Sequence, residues 1–335
     1  MRAGSRPAVL LGWLHEESGT SPDLATALRE AAAHEAVMGL WLRDALALLA
    51  SAGIPVLVIK GAAISQRCYP ESWLRPRNDD DLLVPEAAFA RACDALHEGG
   101  YRESPQNPGA RHMGQAHFAR EVPHGGPHFV DLHARLLVPS AFATLPGFDD
   151  LAADAQPLPA IGPEARGPSA PLTMLLGCAH RVAHHTPTED PTWLVDLHLL
   201  AGRFTAGDWM QLCEWAERSR MAQVCAAELS RAVAAFDTEV PAGVLERLGA
   251  ARGEPSAAYL RVRGPLHAHW IDFCQQQTVR QRLRFVAAHV APSPSFMRAR
   301  YGPLPAYRLP WLYVRRAAAG LSRWTLDFAR RRMGE

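Results

Sequence analysis

The chain is almost without lysine. Of its 35 basic residues one, Lys60, is a lysine and the others are arginine. An ammonium is a compact point charge where a guanidinium is a wide planar fork, so the exception marks Lys60 as a candidate phosphate contact. Net charge is equally scarce, +1 over 335 residues, which speaks against a chain built as a whole to bind nucleic acid. Cysteine is sparse. Cys68, Cys93, Cys178, Cys213, Cys225 and Cys274 show no Cys-x-x-Cys spacing and read as reduced, buried thiols, not a disulfide framework. No run is long and apolar enough to span a bilayer. The opening MRAGSRPAVLLGWLHEESG imitates a signal peptide, but its apolar run is short and no small-residue cleavage site precedes His15. A cytoplasmic protein is the expectation.

What is present suits a folded chain: 48% hydrophobic and 21% charged residues, enough for two domains of ordinary size. The charge is unevenly spread. Residues 278–335 hold twelve arginines against Asp327 and Glu335, so the preceding chain carries about minus nine. Trp311, Tyr313, Trp324 and Phe328 interleave with those arginines. The composition fits nucleic acid, anionic lipid, an acidic acceptor, or pairing with the acid excess elsewhere. The segment is expected to dock as helices and to bring an arginine to the acceptor side of a cleft.

Chemistry concentrates between residues 56 and 136. An apolar run ends in Lys60-Gly61, a turn-rich passage follows, and Asp79-Asp80-Asp81 runs into Leu82-Leu83-Val84. On a strand, Asp79 and Asp81 share a face while Asp80 turns to the other, so Asp80→Asn is expected to affect neither turnover nor cation response. In HFVDLHARL (128–136) the same alternation sets Phe129, Asp131, His133 and Arg135 against Val130, Leu132 and Ala134. Asp79, Asp81 and Asp131 thus form a candidate metal and catalytic set. Carboxylates holding Mg²⁺ offset the charge that develops in nucleotidyl or phosphoryl transfer.

At these residues the sequence resembles the nucleotidyltransferase superfamily of the polymerase-β type. It is more similar to a bacterial nucleotidyltransferase-like family within it, matched at Lys60, Gly61, Tyr69, Pro70, Arg75, Pro76, Asp79, Asp81 and Asp131-Leu132-His133. A fainter likeness, HRVAHH followed by WLVDLHLL, reaches about residue 200. The resemblance implies two Mg²⁺ ions, a nucleoside triphosphate donor, and phosphate contacts from Lys60, Gly61, Ala62, Arg75 and His133. Ala62 and Ala63 stand where the superfamily usually places Gly or Ser, which leaves backbone N–H groups to hold the phosphates.

The expected fold is α+β: an N-terminal nucleotidyltransferase-like α/β domain with a small mixed sheet, followed by an all-α domain. Helices over 1–52 precede a catalytic core at 53–138, with β-α-β-α order and then two or three antiparallel strands. Residues 139–171, rich in Pro and Gly, read as a linker or long loop. A helical domain follows at 172–277, including a Thr205/Asp208 capping box, and an arginine-rich helical segment at 278–335. His180 and His184 lie one turn apart, but Arg181, Val182 and Ala183 lack the glutamate of a His-Glu-x-x-His zinc helix. With His185, Asp196 and His198 they are expected to form a hydrogen-bonded patch facing the cleft. The expected activity is Mg-dependent transfer of a nucleotidyl group to a small-molecule, sugar or peptide acceptor in natural-product or polysaccharide biosynthesis. The alternatives are a transferase using a nucleotide sugar and a catalytically silent nucleotide-binding protein.

Overall fold

The computed structural model describes residues 22–103, 114–123, 126–184, 191–262, 264–292, 294–302, 305–316 and 318. The signal-like opening, His185 and the aromatic and basic residues beyond 318 lie outside them. The architecture is α+β, with a mixed five-stranded sheet followed by helices.

One helix, α1 (Pro22–Ser51), fills the region expected to hold one or two. Gly53 ends it in the left-handed region at φ 64, which a residue with a Cβ adopts at a cost. Strand β1 (Leu57–Ile59) runs directly into α2 (Lys60–Cys68), and β2 (Asp79–Leu83) precedes α3 (Phe89–Glu98). Strands β3 (Arg102–Glu103), β4 (Gln115–Val122) and β5 (Gly126–His133) complete the sheet. Its order is β1-β2-β5-β4-β3. The β2–β5 pair is parallel and the others are antiparallel.

Strand alternation divides the sheet into two faces. Val58, Leu82, Val130, Leu132 and Phe118 turn to one side, where Leu42, Leu46 and Leu49 of α1 and Phe89, Ala92 and Leu96 of α3 bury them. Leu57, Ile59 and Leu83 turn to the other and join the core of the C-terminal helices. Those helices are α5 (Ala170–His184), α6 (Thr192–Ala201), α7 (Ala206–Arg218), α8 (Ala222–Phe236) and α9 (Ala242–Ala250), where α4 denotes Phe148–Ala153. The expected capping box opens α7: the Thr205 side chain accepts from the Asp208 N–H, and Asp208 accepts from the Thr205 N–H.

Residues 139–171 are packed where a linker or loop was expected. Leu151, Leu158, Ile161 and Ala165 are buried, and a ribbon of β6 (Gln156–Pro157) and β7 (Arg166–Gly167) lies on β1. A Cβ on Gly167 would stand 2.8 Å from the Val58 carbonyl oxygen, so close backbone approach explains that glycine. Five cysteines are buried as expected, but Cys274 is exposed.

Candidate active site

Parallel pairing of β2 with β5 assembles the site. The register sets Asp81 opposite Asp131 and Leu83 opposite His133. The antiparallel β4 sets His117 opposite Asp131 on the far side. Period-two alternation then brings Asp79, Asp81, Asp131, His133 and His117 to one face.

Ligand atoms of Asp81, Asp131 and His133 lie within 4.8 Å of one another. His133 thus occupies the third place in the cluster, where Asp79 was expected; Asp79 stands two residues before Asp81 on the same side of β2. The ammonium of Lys60 donates to Asp81 Oδ1 at 2.6 Å, and His133 Nε2 lies 2.9 Å from the same oxygen. His117 Nδ1 lies 2.6 Å from Asp131 Oδ1.

These contacts set the charges. Burial pushes against ionisation of Asp81, but the Lys60 charge and the His133 hydrogen bond outweigh it and hold the carboxyl well below the ordinary range. Burial, then the Lys60 charge, lowers the His133 pKa, so the ring is neutral. A neutral ring that donates from Nε2 keeps a bare lone pair on Nδ1, which is buried and without a hydrogen-bond partner. The hydrogen bond to Asp131 raises the His117 pKa against the effect of burial. Asp79 keeps a solvent-exposed side, yet its partial burial and the charges of Asp81 and Asp131 push its carboxyl up to about 7. The two carboxylates of Asp81 and Asp131, with the Asp79 carboxyl raised by burial and by their charges, fit a divalent cation.

Lys60 itself is unusual, a non-glycine residue at φ 53. That backbone costs on the order of 1–3 kcal/mol and persists only where its surroundings enforce it. The residue is the first of α2, whose N-cap, Ile59, provides no side-chain hydrogen bond to the first turn. N–H groups of that turn, including those of Gly61 and Ala62, are the orphan donors that suit an anion.

Arg75 takes a place different from the expected second phosphate cation. It is buried and donates to both carboxylate oxygens of Asp196 on α6, from Nε at 2.9 and 3.1 Å and from Nη2 at 2.8 Å. Tyr69 donates to the same carboxylate at 2.6 Å. A Cβ on Gly61 would lie 2.6 Å from Arg75 Nη1, so the glycine admits the guanidinium against the turn. Arg135 lies past the end of β5 and pairs with Glu86 on the surface.

The reverse face of β2 holds a second network that the sequence did not disclose. Asp80 is fully buried between Arg77 and His128 Nε2, the latter at 2.8 Å. Arg77 also binds Glu35 of α1, and the Tyr101 hydroxyl meets His128 Nδ1 at 2.7 Å. An arginine three residues before a buried strand aspartate was the available signal. Asp80 therefore has a structural role on the face away from Asp79 and Asp81.

The histidine patch is only partly assembled. The His180 ring lies 4.8 Å from that of His184 and 4.7 Å from Trp193, and Trp193 lies under Arg75 at 5.3 Å. His198 faces away from this group, bonded through Nδ1 to Thr238 at 2.9 Å.

A family model described as uncharacterised nucleotidyltransferase matches residues 17–237. No curated protein matches the chain. Among solved structures, the crystal structure of JHP933 from Helicobacter pylori is similar at 14% identity, over 77% of this chain and 97% of that one, with a TM-score of 0.32.

Proposed function

Because the chain belongs to the uncharacterised nucleotidyltransferase family, we propose that it transfers a nucleotidyl group from a nucleoside triphosphate to a small-molecule, sugar or peptide acceptor. One observation carries the reading: Asp81 and Asp131 are register partners on adjacent parallel strands, on one face, with Lys60 at 2.6 Å. Asp79, Asp81 and Asp131 are the residues that would hold Mg²⁺, with His133 orienting Asp81 through its hydrogen bond. Bound there, the ion would neutralise charge on the reacting phosphoryl oxygens.

The chain's own residues supply the rest. The triphosphate meets the Lys60 ammonium and the open N–H groups at the start of α2. Lys60 exchanges part of its contact with Asp81 for phosphate oxygen, so nucleotide binding releases Asp81 to the cation. An acceptor oxygen attacks the α-phosphorus as the bond to the β-phosphate breaks and pyrophosphate leaves; a hydroxyl acceptor gives its proton to Asp131. Arg75 seats the turn through Gly61.

Incubation with each nucleoside triphosphate and MgCl₂, followed by mass spectrometry, tests this. Pyrophosphate release with a mass gain of one nucleotidyl group on an acceptor is expected, lost in Asp81→Asn. Consumption of nucleotide sugars alone would favour the other transferase reading. Binding without turnover would favour a silent nucleotide-binding protein.

A further inference from the structure

The arginine-rich end carries an inference independent of the transfer reaction. Past α10 (Pro265–Gln275), helix α11 (Val279–Val290) opens with a capping box in which Thr278 and Gln281 exchange hydrogen bonds. It touches α10 through Phe285, whose ring lies 6.3 Å from Phe273. Val279, Leu283, Val286 and Val290 are spaced so that all four fall within roughly 60° of arc on the helix. Their exposures are 72%, 66%, 44% and 57%. Arg280, Arg282 and Arg284 are exposed on the same helix, outside that arc. Trp270, Trp311 and Val314 of the same region are also exposed.

An apolar stripe with basic flanks is the pattern of a helix that lies in a membrane interface, its apolar side among acyl chains and its arginines at the headgroups. We propose that the exposed apolar stripe of α11, with its flanking arginines, docks on an anionic lipid bilayer. Charge complementarity selects that occupant. Residues 264–318 contain eight arginines and a single acid, Asp272, which is buried and bonded to Tyr259. A second copy docking through the same surface would set arginine against arginine. Residues 319–335 carry Arg323 and Arg330–Arg332 against Asp327 and Glu335, and would also meet like charge. Nucleic acid would satisfy the arginines but leave the valine and leucine stripe in water. Among the described residues no helix is long and apolar enough to cross a membrane, so the contact is peripheral.

The test is co-sedimentation of the full chain with phosphatidylcholine vesicles and with vesicles in which roughly one third of the lipid is phosphatidylglycerol. Binding is expected to be about tenfold stronger with the anionic lipid and to fall steeply with added salt. Leu283→Glu with Val286→Glu should abolish it at unchanged melting temperature, since both positions are exposed. Arg280→Gln, Arg282→Gln and Arg284→Gln together should remove most of the preference for anionic lipid. The proposal is overturned if vesicles bearing phosphatidylglycerol bind no better than neutral ones. It is equally overturned if the glutamate substitutions leave binding intact, if they instead dissolve a dimer seen by light scattering, or if the arginine substitutions abolish RNA retention by a chain that ignores vesicles.

Discussion

Adjacent aspartates on β2 serve opposite faces of the sheet, and their responses to cation tell them apart. Asp80→Asn removes a carboxylate buried between Arg77 and His128. Taking one partner from a buried ion pair costs roughly 3–5 kcal/mol. Glu35 stays on Arg77 at 3.1 and 3.2 Å, so the net cost is about 2–3 kcal/mol. A melting temperature lower by about 3–6 °C follows for a chain of this size. Asp81→Asn also removes a buried carboxylate, one that Lys60 and His133 hold ionised, so it too should melt lower than wild type; the two variants part in their response to cation. In wild type, MgCl₂ at one hundred times its dissociation constant should stabilise by about 2.7 kcal/mol. The assay is calorimetric melting of the three proteins with and without MgCl₂. Both variants should melt below wild type, but Asp80→Asn should keep the rise on adding cation and Asp81→Asn should lose it. A folded Asp80→Asn protein that has lost the cation response, beside an Asp81→Asn protein that retains it, would refute the assignment of faces.

Three further outcomes follow from the same geometry. Lys60→Arg should weaken triphosphate binding about tenfold at constant charge, because a planar fork does not fit the 2.6 Å contact of an ammonium; titration calorimetry measures it. Asp196→Asn leaves Arg75 buried without its counter-ion, at a cost of roughly 3 kcal/mol in urea unfolding. It should also lower triphosphate affinity through the Gly61 turn, and unchanged values of both would exclude the clamp. For Asp79 the fold raises the carboxyl from 3.8 to about 7. Between those values the folded chain holds the extra proton, so this group's contribution to stability falls as pH rises through the window. Cation binding competes with that proton, so Mg²⁺ should stabilise more at pH 8 than at pH 6, and Asp79→Asn should flatten the difference.

Faces were legible in the sequence, and neighbours were not. Alternation placed Asp79 and Asp81 together and Asp80 opposite, because a period of two needs only local spacing. It could not place Asp131 beside Asp81, since parallel pairing of β2 with β5 joins residues that α3, β3 and β4 separate in the chain. His117 was invisible for the same reason, although Ala116 and Phe118 beside it are buried on the core face of β4. Residues 139–171 lack periodicity, yet scattered anchors such as Leu151 and Ile161 bury them, and no period reveals isolated anchors. Arginine was misleading where its partner was remote. Arg75 looked like a phosphate cation beside Pro76, but its carboxylate lies 121 residues further on.

That remote partner joins the helices to the site. Asp196 sits on α6 within WLVDLHLL and neutralises Arg75, which Gly61 alone is small enough to receive. Tyr69 just past the end of α2 closes onto the same carboxylate, so both ends of that helix refer to one residue of the helical region. A turn held at a left-handed Lys60 needs support from outside its own strand and helix. The family match runs to residue 237 and so includes both halves of this clamp. The likeness of WLVDLHLL to the bacterial family then has a physical basis: the aspartate in it holds the arginine packed against the Gly61 turn, more than a hundred residues earlier in the chain.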